Sequence, residues 1–239
     1  MQVEAVLFDL FDTLLLLEKE EIYYEACLKK MHGFLMKNGI NVGLIDFSRV
    51  YFDVRDKFYS ESRQTLEEPH FKVRVSQTLQ ILGYKYDASH PIVIGATNVF
   101  AEEFMRYVTL DKEAPNVLQK LHGKYRLGLV SNFGLPECGR KLLEIHGLRK
   151  FFDAIVISGE INQRKPSPKI FERTLKALNV DSSKAVFVGD MLDLDIRGPK
   201  NVGMKTVLIE RRSSKRDTDV KPDFTIKTLS ELLTILGSS

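Results

Sequence analysis

Five short stretches of this chain are apolar at consecutive positions, and each stops at a polar or glycine-containing turn. They are VEAVLFDL (3–10), YRLGLVSN (125–132), DAIVISGE (153–160), KAVFVGD (184–190) and MKTVLIE (204–210). A strand with one wet face alternates, whereas a strand rich in Val, Ile and Leu throughout is covered on both faces, as in a parallel sheet. Helix-like segments separate the runs: APNVLQKLHG, PECGRKLLEIHG, SPKIFERTLKALN and DIRGPKNVG. The repetition of strand, helix and strand, with Gly or Asn near the helix ends, predicts a doubly wound α/β domain. A chain of 239 residues with 44% apolar content has the material for one large core or two smaller ones.

The rhythm breaks between residues 15 and 110, where no comparable buried strand occurs. Four amphipathic stretches take its place, EEIYYEACLKKMHGFLMKNG, FSRVYFDVRDKFYSESR, FKVRVSQTLQILG and VIGATNVFAEEFMRYV. A helical insertion after the first strand sits at the C-terminal edge of the sheet, where ligands bind in such folds, and so is a candidate lid. The expected division is a core of residues 1–14 plus 111–239 and a helical cap of residues 15–110, with hinges near Leu15 to Glu18 and Leu110 to Pro115. RRSSKRDTDVKPD (211–223) reads as a solvated loop before a last helix, TLSELLTILG.

Thirty-five basic and 32 acidic residues are spread along the chain, and the net charge of +3 identifies neither nucleic acid nor any other partner. The run Leu14 to Leu17 is too short to span a bilayer, and Asp9 and Asp12 interrupt a signal-peptide reading. Cys27 and Cys138 lack metal-ligand spacing and suit a reducing compartment, so cytoplasm is the expected location. The five histidines show no ligand spacing, and YFDVRDKFY (51–59) reads as the buried stripe of a cap helix.

Polar residues at the strand ends carry the chemistry. The first strand ends at Asp9, the second at Ser131 and Asn132 and the fourth at Asp190, while Lys165 precedes Pro166 and a helix start. Singly, each could cap a helix or shape a turn. Jointly, the fold brings them to one crevice. Two carboxylates with room for water suit Mg²⁺, a hard ion that takes oxygen ligands. Asp9 could attack phosphorus, with Ser131, Asn132 and Lys165 binding the phosphoryl oxygens.

In that arrangement the chain resembles the haloacid dehalogenase superfamily, in the branch with a helical cap between the first two motifs. VLFDLFDTL is similar to its first motif, LGLVSN to its second, RKPSPKIF to its third and VFVGDMLDLDIRG to its fourth, in the same order and over nearly the whole chain. The resemblance implies a Rossmann-like core and Mg²⁺-dependent hydrolysis of small phosphorylated metabolites through an aspartyl-phosphate. It implies Asp9 as nucleophile, Lys165 as balancing cation, and Ser131 and Asn132 as phosphate-side binders. Thr13 would shape the loop. Asp190 and the main-chain oxygen of Phe11 would hold the metal with Asp9, and Asp195 would support the site or its waters.

Phe11 departs from the pattern, because phosphatases of this family usually carry there a second aspartate that protonates the leaving oxygen and then activates water. Losing that group matters by roughly 10² to 10⁴ in rate. Asp12 stands one position on, where the usual residue is Gly. An aromatic at position 11 resembles the dehalogenase branch, in which the aspartate attacks carbon without a metal, but that branch has no acid pair in the fourth motif. Asp190 and Asp195 therefore favour phosphatase chemistry, with a 2-haloacid dehalogenase as the alternative. A third reading is a catalytically weak phosphate-ligand sensor or interaction module.

Overall fold

The computed structural model describes residues 3–211 and 219–237. Six strands form one parallel sheet in the order β5-β4-β1-β6-β7-β8. They are β1 (Ala5–Phe8), β4 (Arg126–Ser131), β5 (Ala154–Ile157), β6 (Ala185–Gly189), β7 (Lys205–Ile209) and β8 (Phe224–Ile226). All four residues of β1 and all five of β6 are buried, as continuous apolar runs require. Phe8 pairs with Leu129 of β4 on one side and Val188 of β6 on the other. Because β1 lies between strands reached by connections in opposite directions, the crevice beyond Phe8 is the topological switch point of the sheet.

Helices α5 (Ala114–Leu121), α6 (Pro136–Ile145), α7 (Ser158–Ile161), α8 (Pro168–Leu178), α9 (Gly198–Asn201) and α10 (Glu231–Gly237) complete the core. Two of the helical expectations change in form. DIRGPKNVG is the end of a π-helical turn (Leu192–Arg197) followed by the short α9, and the last helix starts at Glu231. The edge strand β8 arises where only loop and helix are expected, since two of its three residues are exposed and its apolar signal is short. Of the basic run starting at Arg211, residues 212–218 lie outside those described.

Helices α1 (Glu20–Lys37), α2 (Leu44–Thr65), α3 (Phe71–Ile81) and α4 (Pro91–Phe104) form the insertion. It leaves and re-enters the core through an antiparallel ribbon, β2 (Leu15–Leu17) against β3 (Val108–Leu110). Sequence alone does not reveal this ribbon, because Leu14 to Leu17 is equally compatible with a helix start. The segments expected to hinge therefore include paired strands. Rings from α1, α2, α3 and α4 meet in the insertion's own core, with Phe71 and Phe100 at 4.6 Å between centroids. Among the described residues no helix is long and apolar enough to cross a membrane.

Phe8 is fully buried and meets Phe152 edge-on at 6.5 Å, immediately before Asp9. Phe8→Ala is expected to lower unfolding free energy by about 3–5 kcal/mol through lost burial and a residual cavity. Chemical denaturation measures this, and a loss below about 1 kcal/mol would show that the strand does not depend on that ring.

Candidate active site

Loops at the C-terminal ends of β1 and β6 converge on one ammonium group, and the loop after β4 holds the backbone of the same lysine. Lys165 is 2% exposed, and its Nζ donates to Asp9 Oδ1 at 2.5 Å and to Asp195 Oδ1 at 2.7 Å. Asp9 follows β1, and its N–H donates to Val188 O of the neighbouring strand, so the sheet ladder sets where its carboxylate stands. Thr13, fully buried, donates to Asp9 Oδ2 at 3.4 Å. Ser131, at the end of β4, is buried with its Oγ unpartnered, the kind of group a bound anion satisfies.

Asn132 works differently from a direct phosphate ligand. Its Nδ2 donates to Lys165 O at 3.0 Å and its Oδ1 accepts from Lys165 N at 2.7 Å, so both ends of the amide hold the lysine's backbone. The same loop is fastened from the first residue of α7, where Ser158 Oγ accepts from Phe133 N at 2.8 Å. None of these three bonds is legible in the sequence, since each pairs residues more than twenty positions apart.

Asp195 reaches the site through the π-helical turn. Its Oδ2 accepts from Met191 N at 3.0 Å, closing the loop on itself. A Cβ added to Gly189 would lie 2.5 Å from Asp195 Cβ and Cγ, so only glycine lets this carboxylate pack across the end of β6. One oxygen each from Asp9, Asp190 and Asp195 fall within 4.8 Å of one another.

The charges do not balance within the cluster. Burial works against the Lys165 charge, but Asp195 and Asp9 outweigh it and hold the ammonium above its ordinary range. Burial pushes the Asp9 carboxyl up to about 6, against the pull of Lys165 and with a contribution from Asp195. Asp190 is pushed further, to about 8, by burial and then by Asp9, Asp195 and Asp12. Two carboxylates share one ammonium, a third stands beside them, and the group offers hard oxygen atoms. That set fits a divalent cation.

Phe11 points its ring elsewhere. It packs edge-on against Phe133 at 4.9 Å and Phe104 of α4 at 5.8 Å, tying the loop after β1 to the insertion. The bridge between Phe11 and Leu15 consists of Asp12 N–H to Leu15 O and Leu15 N–H to Leu10 O, and Phe11's own carbonyl takes no part in it. Asp12 adopts φ +55°, a turn conformation in which its Oδ1 accepts from Leu17 N at 3.3 Å. Arg211, at the end of β7, donates to Thr13 O at 3.2 Å and to Asp111 at 2.6 Å, another brace that sequence reading does not anticipate.

The model of the haloacid dehalogenase-like hydrolases matches residues 3–203 of this chain. The chain belongs to that family and is a hydrolase. It is similar to a glyceraldehyde 3-phosphate phosphatase of Methanopyrus kandleri, 29% identical over 98% of this chain and 97% of that one. It is also 30% identical to the glyceraldehyde 3-phosphate phosphatase of Pyrococcus furiosus, over 98% of this chain and 93% of the other. Its fold matches the crystal structure of a 2-haloacid dehalogenase from Pseudomonas syringae with a TM-score of 0.77 at 23% identity, covering 99% of each chain.

Gly189→Ala is expected to displace Asp195, release Lys165 and lower kcat by more than about tenfold without unfolding the sheet. Steady-state kinetics beside circular dichroism test this, and unchanged kcat would mean that the Asp195 contact is dispensable. A pH prediction follows from Asp190. Its carboxyl holds a proton below about 8, so a cation must displace that proton. Apparent affinity for a divalent cation should therefore fall by up to about tenfold per unit as pH drops below 8. A flat profile in calorimetric titrations between pH 6 and 8 would contradict it.

Proposed function

We propose that the protein is a Mg²⁺-dependent phosphatase of small phosphorylated metabolites acting through an aspartyl-phosphate on Asp9. The observation that carries this reading is the single buried ammonium shared by Asp9 and Asp195, with Asp190 beside them. Asp9, Asp190 and the main-chain oxygen of Phe11 would hold Mg²⁺, which when bound neutralises phosphoryl charge. Asp195, with both oxygens committed to Lys165 and Met191, supports from behind.

Lys165 fixes Oδ1 of Asp9, leaving Oδ2 to form the bond to phosphorus as the ester oxygen departs. Ser131 Oγ and the Lys165 ammonium stabilise the charge on the transferring group. Water then attacks phosphorus, the bond to Oδ2 breaks, and the carboxylate is restored while phosphate leaves. Residues 15–110 act as the cap and the rest as the core, the cap excluding water during the first step. The near-full-length relatives named as phosphatases and the acid pair after β6 support phosphorus over carbon as the target. Buried free thiols at Cys27 and Cys138 are consistent with a cytoplasmic enzyme, for which we infer neither a nucleic-acid nor a membrane partner.

One observation favours the dehalogenase reading, the phenyl ring of Phe11 where an acid would serve a phosphatase. Activity on 2-haloacids in excess chelator would establish it, and inertness towards both substrate classes would establish a sensor.

Asp9→Asn should abolish turnover while leaving the fold intact by circular dichroism, and parental rates in this variant would refute the nucleophile. With no acid at position 11, substrates whose leaving groups depart as stable anions should be preferred. Phe11→Asp should raise the rate on an alkyl phosphate relative to an aryl phosphate. It should also cost roughly 1–3 kcal/mol of stability, because no ring then packs edge-on against Phe104 and Phe133. Equal leaving-group dependence in the parent and the variant would show that another group, Asp12 first, already donates the proton.

A further inference from the structure

The lysine at the centre of the crevice stands on a segment with no regular structure of its own. Residues 162–167, between α7 and α8, are neither helix nor strand, so the place of Lys165 depends on what holds its backbone. Two N–H groups of the segment are held from outside it. Lys165 N–H donates to Asn132 Oδ1 at 2.7 Å, from the core. Arg164 N–H donates to Leu66 O at 3.0 Å, from the insertion. The N–H of Ser167 closes locally on Arg164 O at 2.9 Å, and Pro166 has none to give. The insertion therefore supplies one of the two outside anchors on the pair of residues that carries the ammonium.

Leu66 makes that bond from a strained position. It ends α2 at φ +57° and ψ 24°, left-handed backbone that a residue with a Cβ rarely adopts and that persists where neighbouring contacts over-determine it. Two residues on, Glu68 is 8% exposed, and its Oε2 lies 3.3 Å from Arg164 Nε. Burial works against the charge of that carboxylate, while Arg164 and then Arg74 favour it. At the far end of the turn, Phe71 N–H donates to Gly134 O at 2.7 Å, two residues past the Asn132 that clamps the lysine. One short turn of the insertion thus grips both loops that meet at Lys165. We propose that Glu68 is a positioning residue for Lys165, the turn between α2 and α3 (residues 66–70) serving as a strap that sets where the ammonium stands. Leu66 O holds the backbone of residue 164 and Glu68 holds its side chain, so the residue before the lysine is fixed at two points. The strap acts only while the insertion is seated on the core, which links that seating to the placement of Lys165 between Asp9 and Asp195. Its kinetic consequence rests on the role of Lys165 in the phosphatase reading, whereas its hold on the lysine backbone does not.

Hydrogen exchange and kinetics on the full chain test this together. Amide exchange followed by NMR should be at least about threefold faster at Arg164 and Lys165 in Glu68→Gln than in the parent, with Val188 in the sheet unchanged. Arg164→Met, which keeps the N–H and loses the ion pair, should do the same. On an aryl phosphate at saturating Mg²⁺, either variant should lower kcat by about tenfold while KM changes less than about twofold. The double variant should lose no more than either single one, because both act through the same pair. Glu67→Gln, which removes an exposed charge one position away, should leave exchange and kcat at parental values. Unchanged exchange at both amides, or losses in kcat that add in the double variant, would overturn the proposal, and if one variant fails to fold the other decides. Lower thermal stability with kcat intact is what a purely structural strap produces, and it too would overturn the positioning role. Faster exchange in the variants, beside a parent that turns over no phosphoester, would uphold the hold on Lys165 and refute the phosphatase.

Discussion

One ammonium group, shared at 2.5 and 2.7 Å by two carboxylates in a nearly dry crevice, sets the demands on everything around it. Removing a charge from water costs several kcal/mol unless partners and geometry repay it. The fold meets that demand by fixing each partner independently. The ladder between β1 and β6 places Asp9, the amide of Asn132 clamps the backbone of Lys165, and the π-helical turn over Gly189 delivers Asp195. The single lysine still leaves a negative excess. Asp190, held up to about 8, records that excess within a group of three carboxylates that could hold a metal ion.

Phe11 acquires a meaning that its position in the sequence does not suggest. In the first motif it reads as a missing acid. In the structure its ring joins Phe133 of the core to Phe104 of the insertion, in edge-on contacts worth about 0.5–1.5 kcal/mol each. Further contacts line the same seam: Phe71 N–H to Gly134 O, Arg164 N–H to Leu66 O, Arg164 with Glu68, and His70 with Glu137. The ring at position 11, where an acid is expected in the first motif, joins the loop after β1 to the insertion.

The parallel sheet is legible in the sequence because five of its strands are continuous apolar runs of four to six residues, too short for helices, rich in Val, Ile and Leu, and bounded by turn residues. β8, half-exposed at an edge, and the ribbon β2–β3, three residues a side, fall below the length at which apolar periodicity distinguishes strand from helix. The strand-end residues Asp9, Ser131 and Asp190 are visible as polar stops to apolar runs. What each side chain grips is not visible, since Asn132 to Lys165, Ser158 to Phe133 and Arg211 to Thr13 join positions 25 to 198 residues apart. Arg74 of α3 is hidden for the same reason: within its amphipathic stretch it looks like a solvated charge, and only packing shows it to be buried against Tyr24.

The account stands or falls on a covalent bond to Asp9. Rapid acid quenching during turnover of an aryl phosphate, followed by peptide mass spectrometry, should find one phosphoryl group on the peptide containing Asp9. With no acid at position 11 to activate water, that species should accumulate before the steady state. Phosphate release at saturating substrate with Asp9 unmodified throughout, or with the phosphoryl group on another residue, would contradict it.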